Sequence, residues 1–138
     1  MPNAFVDTNI LVYAAEGSRN PHRKTVIARK LLLEPDLFLS VQVLNEFVAC
    51  ARHPQKLAMT RKEEGEWLAL WMQKKVAPLT ASTFVAALEI HHLHGLSHWD
   101  SLIVASASET KCQVLYSEDL NHGQNFDGLK VVNPFLAT

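Results

Sequence analysis

The stretch Ala4-Phe5-Val6-Asp7-Thr8-Asn9-Ile10-Leu11-Val12 decides the fold. Its first three residues are too few for a helix and wholly apolar, the signature of a short buried strand. Asp7 ends that strand, and Thr8 to Ala15 reads as a short helix closed by Gly17. A buried strand running straight into a helix opens a βα unit, and the rest of the chain repeats the alternation. Pro21 opens a helix to about Leu33, with Val26, Ile27, Leu31 and Leu32 turned inward, and Pro35 stops it. Leu37-Phe38-Leu39 is a strand, Ser40 a helix N-cap, and a helix follows to about Arg52.

Residues 53–60 form a loop around Pro54, and Arg61 to Lys75 an amphipathic helix with Trp67, Leu70 and Trp71 on one face. Val76-Ala77 with Leu79 makes a brief strand, Ala81 to His94 a helix ended by Gly95, and Ser97 to about Thr110 a further helix. Ser97-His98-Trp99-Asp100 resembles a capping box with Asp in place of Glu. Gln113 to Tyr116 and Lys130 to Val132 are strands, separated by a polar loop over 117–128. Short apolar strands between helices imply an α/β fold whose mainly parallel central sheet is flanked by helices. No internal repeat or low-complexity segment interrupts the pattern.

The length of 138 residues fits one domain over residues 1–138. An apolar fraction of 48% and a charged fraction of 20% are ordinary for a globular chain. The net charge of −1 excludes a globally basic nucleic-acid binder, yet charge is unevenly spread. Residues 1–62 carry +4, with basic clusters at Arg19, Arg23, Lys24, Arg29, Lys30 and at Arg52, Lys56, Arg61, Lys62; residues 63–138 carry −5. Such clusters suit a phosphate-attracting rim or plain solvated helix faces. Cys50 and Cys112 lack metal or redox spacing and read as buried free thiols of a reducing compartment. Asp7 interrupts the first apolar run, so no signal peptide is expected, and no run is long enough to span a membrane. A cytoplasmic location follows as the expectation.

Most acids sit where acids belong. Glu63, Glu64 and Glu66 lie at a polar helix start, Glu34 and Asp36 flank Pro35, and Asp127-Gly128 is a turn. Four do not: Asp7 inside its apolar run, Glu46 inside the apolar helix Val41 to Ala51, Asp100 opening an apolar helix, and Asp119 after the strand Val114-Leu115-Tyr116. Burying an unpaired carboxylate costs several kcal/mol, roughly, so four such residues need a shared reason. A bound cation is the simplest one. Asp7 and Asp119 follow parallel strands, at the edge where open α/β sheets place ligands. All-oxygen donors suit Mg²⁺ or Mn²⁺ better than Zn²⁺.

Each acid also has a local explanation: Asp7 as an N-cap, Asp100 as half of a capping box, Asp119 as a turn acid, Glu46 as partner of a buried Lys or Arg. Thr8, Asn9 and Ser117 stand beside the acids and are suited to orient them. Glu118 reads as exposed, and Glu89 as the polar face of its helix. His91, His92 and His94 read as surface residues, lacking a third ligand for a zinc motif. His98 fits a helix start or a phosphate contact.

In order and spacing, four fragments resemble the PIN-domain proteins, and more narrowly the VapC-type toxins of toxin–antitoxin pairs. They are Phe5-Val6-Asp7-Thr8-Asn9-Ile10-Leu11, Leu44-Asn45-Glu46-Phe47, His98-Trp99-Asp100-Ser101 with the apolar run after it, and Ser117-Glu118-Asp119-Leu120-Asn121-His122-Gly123-Gln124. Val131-Val132-Asn133-Pro134-Phe135 is similar to the family's last strand. The resemblance implies a Mg²⁺- or Mn²⁺-dependent endoribonuclease, dimeric and held inactive by a cognate antitoxin. It assigns catalysis to Asp7, Glu46, Asp100 and Asp119, with Asp7, Asp100 and Asp119 as metal ligands. Position 117, often Thr in the family, is Ser here and keeps the hydroxyl. A PIN-like RNA-processing nuclease that is not a toxin, and a Mg²⁺-binding signalling or interaction domain, are the alternatives. A haloacid-dehalogenase type enzyme needs a second Asp where Asn9 stands, and a receiver-type domain needs paired acids after the first strand.

Overall fold

The computed structural model describes residues 3–17 and 22–136. Its elements run β1 (Ala4–Val6), α1 (Thr8–Ala15), α2 (Arg23–Leu31), β2 (Leu37–Ser40), α3 (Val41–Arg52), α4 (Arg61–Trp71), β3 (Lys75–Ala77) and α5 (Ala81–His94). They continue with α6 (His98–Glu109), β4 (Val114–Tyr116), β5 (Asn125–Phe126) and β6 (Leu129–Val132). The strands form one sheet in the order β3-β2-β1-β4-β6-β5, parallel throughout except for β5 against β6. This is the α/β architecture expected from the alternation of elements.

β1 sits mid-sheet because all three of its residues are buried, so both faces must be covered. It pairs with β2 on one side and β4 on the other, with Val6 opposite Tyr116. The chain therefore crosses over in opposite senses on the two sides of β1, and a crevice opens at the carboxyl ends of β1 and β4. Around the sheet, Phe5, Ile10, Leu11, Leu39, Phe47, Val104 and Leu115 are fully buried within one core. Phe47 meets Trp71 edge to face at 5.8 Å, which seats α4 on α3.

Several local expectations shift. The start of the second helix at Pro21 lies outside the described residues, and α2 turns Thr25, Ala28 and Leu31 inward while Val26 is 55% exposed. Leu31 and Leu32 are buried and Ile27 packs against the core as expected; only Val26 turns outward, its place on the inward face taken by Thr25 and Ala28. Helix α3 is not buried all round: Gln42, Val43, Phe47 and Ala51 face the core, while Asn45 and Ala49 face solvent. Helix α4 ends at Trp71, and Leu70 is half exposed beside buried Trp71. Glu64 is not on a polar face but buried, where Arg52 grips it with Nε 2.7 Å from Oε1. The loop after β4 contains β5, joined to β6 through Asp127 and Gly128, both at positive φ, in a two-residue hairpin. Two paired residues are too few to leave a periodic signal.

Cys112 is buried as expected, whereas Cys50 is only partly covered. No helix among the described residues is long and apolar enough to cross a membrane.

Phe47→Ala should cost about 3–5 kcal/mol, because the cavity lies between α3, α4 and the sheet where rigid neighbours cannot collapse into it. Urea unfolding of the two proteins measures the difference.

Candidate active site

Asp7 is the residue at which β1 becomes α1. Its backbone is extended (φ −78°, ψ 164°), and its carboxylate caps the helix by accepting from the Thr8 N–H at 2.7 Å. Its own N–H continues the ladder to the Tyr116 carbonyl at 3.0 Å, which holds the start of α1 against the end of β4. The next residue of that strand end, Ser117, is fully buried and donates its hydroxyl to Asp7 Oδ2 at 2.8 Å. Ser117 Oγ also accepts from the Asp119 N–H at 3.1 Å, so one hydroxyl ties both acids to the sheet edge.

Asn9 links the same pair. Its Nδ2 donates to Asp119 Oδ2 at 3.1 Å and lies 3.5 Å from Asp7 Oδ2, while its Oδ1 accepts from the Glu118 N–H. Thr8 reaches the other way, donating Oγ1–H to Glu46 Oε1 at 2.7 Å. One turn before Glu46, Gln42 donates Nε2–H to the Trp99 carbonyl at 3.1 Å and ties α3 to the start of α6. Asp100 lies in the first turn of that helix, its N–H capped by Ser97 Oγ at 3.1 Å. The reciprocal side-chain bond of a full capping box is not among the contacts of the described residues.

All four acids line one cleft of about 530 Å³. Asp7 lies deep, Glu46 and Asp100 are half-buried, and Asp119 is exposed at its edge. None of the four is ion-paired among the described residues; the pairs present are Lys24–Glu118, Arg52–Glu64 and Lys75–Asp36. Burial, reinforced by the charges of Asp119 and Glu46 and partly offset by the Ser117 and Thr8 bonds, pushes Asp7 up to about 7. Burial likewise raises Asp100, with Asp119 adding to it and Ser97 opposing.

No three carboxylate, imidazole or thiol groups among the described residues already stand at ion-holding spacing. The acids surround the cleft rather than meet at a point. The donor set nonetheless fits a hard divalent cation in kind: it is all oxygen, it is uncompensated, and its deepest member gains most from a counter-charge.

The cleft also holds residues not singled out from the sequence. Glu118, expected to be exposed, is half-buried in the cleft wall and paired with Lys24. The strand ends at Tyr116, so its alternation no longer governs where Glu118 points. Val12 and Tyr13 on α1 and Glu16 at its C-cap extend the wall that Asn9, named from the sequence, begins. Their i, i+3, i+4, i+7 spacing from Asn9 was a legible signal. Cys50 stands one turn beyond Glu46 on α3 and lines the cleft by the same rule. Lys56, in the loop after α3, reads from the sequence only as part of a basic cluster suited to a phosphate rim or a solvated face, and no periodicity places it in the cleft. His98 packs its ring against Phe84 and Trp99 at the start of α6, in keeping with the structural reading.

The model of the PIN domain matches residues 4–125. Among solved structures, a toxin–antitoxin complex from Klebsiella pneumoniae superposes with a TM-score of 0.73 at 18% identity, over 96% of this chain and 98% of that one. VapC20 of Mycobacterium tuberculosis, described as a sarcin–ricin loop cleaving toxin, gives 0.68 at 19% identity, over 85% and 90%. VapBC2 from Rickettsia felis, bound to a fragment of its promoter DNA, gives 0.62 at 17%, over 93% and 96%. At these identities the likeness is one of fold. No curated protein sequence matches the chain.

Asp7 sets a pH dependence. An unfolded Asp loses its proton near 3.8, whereas the native one keeps it to about 7. Stability therefore falls as pH rises from 4 to 7, by up to about 4 kcal/mol. Asp7→Asn should be more stable than the parent at pH 8 in EDTA, by up to that amount, and indistinguishable from it near pH 4. Urea titrations across this range check it; a difference that does not vary with pH contradicts the assignment.

Proposed function

Since the chain belongs to the PIN domain family, we propose that it is a divalent-metal-dependent endoribonuclease, the VapC-type toxin of a toxin–antitoxin pair. The observation that carries the reading is four carboxylates from four separate segments lining one cleft with no cation paired to any of them among the described residues. Asp7, Asp100 and Asp119 would hold Mg²⁺ or Mn²⁺. Bound there, the ion supplies an acidified water and neutralises charge on the phosphodiester.

The chain's own groups do the positioning. Ser117 and Asn9 hold Asp7 and Asp119 together against their mutual repulsion. Thr8 orients Glu46 through Oε1. Glu46 Oε2 has no protein donor among the described residues, and in this reading it would accept a proton from the attacking water. The substrate is RNA, cut internally at its phosphodiester backbone, and the place of action is the cytoplasm, where free Cys50 and Cys112 stay reduced.

The reading includes two protein partners. A second copy suits the outer face of α5, where Phe84, Val85 and Leu88 are 47%, 61% and 46% exposed and Glu89 is the helix's only Asp, Glu, Lys or Arg. A surface almost free of charge can meet its own image without repulsion. The cognate antitoxin suits the groove of about 600 Å³ lined by Ala14, Leu33, Trp67 and Leu70, where Arg29 and Lys74 favour an apolar segment flanked by acids.

Purified protein should cleave RNA with Mg²⁺ or Mn²⁺ and stop on addition of EDTA. Asp7→Asn and Asp100→Asn should each lower kcat/KM by about 10²-fold or more while circular dichroism stays unchanged. Cleavage at the parental rate by either variant overturns the assignment. Val85→Glu should convert a dimer to a monomer by light scattering, since the new charge would be buried without a partner.

A further inference from the structure

We propose that Lys56 is a positioning residue that holds an RNA phosphate next to the bond being cut. The inference rests on the nuclease reading above and adds to it the group that receives the substrate's backbone.

Among the described residues, Lys56 is the one Lys or Arg lining the cleft, whose other charged residues are Asp7, Glu16, Glu46, Asp100, Glu118 and Asp119. A polyanion entering such a cleft is repelled everywhere except at a bound cation and at this ammonium. Two other cations are engaged elsewhere: Arg52, four residues earlier in the chain, is held by Glu64, and Lys24 by Glu118, a residue of the cleft wall. Lys56 has no carboxylate partner among the described residues; its Nζ contacts only Cys50 Sγ, at 4.0 Å. Its three N–H donors are therefore directed at neither acid nor carbonyl of the protein, although it lines the same cleft as four carboxylates.

The loop that carries Lys56 is built rather than loose. Four backbone bonds return it to the end of α3: Lys56 N–H to His53 O at 3.0 Å, Leu57 N–H to Cys50 O at 3.2 Å, Ala58 N–H to His53 O at 3.1 Å and Met59 N–H to Ala51 O at 2.8 Å. His53 Nδ1 accepts from the Gln55 N–H at 3.1 Å. Ala58 takes a left-handed conformation (φ 45°), unfavourable for a residue with a Cβ. The local geometry that closes the loop is thus maintained against a backbone cost, and it fixes the backbone from which the Lys56 side chain lines the cleft.

A lysine that meets one phosphate equally in the ground and transition states changes KM and leaves kcat nearly unchanged. It also contributes to the salt dependence of binding, because neutralising one phosphate of a single strand releases about 0.7 of a counterion.

The test uses the full chain and a fluorescein-labelled single-stranded RNA in Ca²⁺, followed by anisotropy over a KCl series. Lys56→Met should weaken binding roughly three- to tenfold at low salt and reduce the slope of log K against log[KCl] by about 0.7. Lys56→Arg should restore both. In Mg²⁺, Lys56→Met should raise KM by the same factor with kcat within about twofold. An unchanged slope for Lys56→Met, or a loss confined to kcat, overturns the proposal. If the parent protein itself neither binds nor cuts RNA, the nuclease reading fails instead, so the two failures are distinguishable.

Discussion

A carboxylate inside the fold, close to others of its kind and without a counter-cation among the described residues, is the constraint on which this structure depends. Asp7 is buried between the end of β1 and the start of α1 and carries the burial of its charge as a raised proton affinity. The fold partly relieves that cost with two short hydrogen bonds, from Thr8 N–H and Ser117 Oγ. Neither donor brings a full positive charge. The site is therefore destabilising by itself at neutral pH, and it is stabilised by any cation that reaches the cleft. An arrangement that costs stability in the free protein and is repaired by a ligand is the pattern of a functional site rather than a packing site.

The helices are arranged around that constraint. Asp7 caps α1, so the residue that bears the charge also sets the direction of the helix whose Asn9, Val12, Tyr13 and Glu16 make one wall. Thr8 on α1 binds Glu46 on α3, and Gln42 on α3 binds the backbone at Trp99, which places Asp100. A chain of three helices is thus linked by two hydrogen bonds, one made to Glu46 itself and one made a residue away from Asp100. A change at Gln42 would move Asp100 without touching it, whereas a change at Thr8 removes a direct contact to Glu46. The 53–60 loop extends the same wall beyond α3, and it carries the one Lys or Arg that lines the cleft among the described residues.

Charge across the rest of the molecule follows a different rule. Arg52 with Glu64, Lys75 with Asp36 and Lys24 with Glu118 pair locally. Such pairs at or near the surface contribute little energy. Only Lys24–Glu118 involves a residue of the cleft, Glu118 in its wall; Arg52, Glu64, Lys75 and Asp36 do not line it.

The amino-acid order by itself determined the sequence of elements, the parallel sheet, and the four acids that disagree with their apolar surroundings. These are local properties: a strand, a cap or a misplaced charge is visible within a few residues of itself. Element ends and inward faces were less legible where small residues decide packing, as with Thr25 and Ala28 on α2, and where a strand has two residues, as with β5. Only the tertiary structure decided that Asp7, Glu46, Asp100 and Asp119 share one cleft, and that Glu118 and Lys56 line it with them. Convergence of residues up to 112 positions apart in the chain, as between Asp7 and Asp119, depends on strand order and helix packing. Those are set by the burial of the whole core, a property that no single stretch of sequence contains.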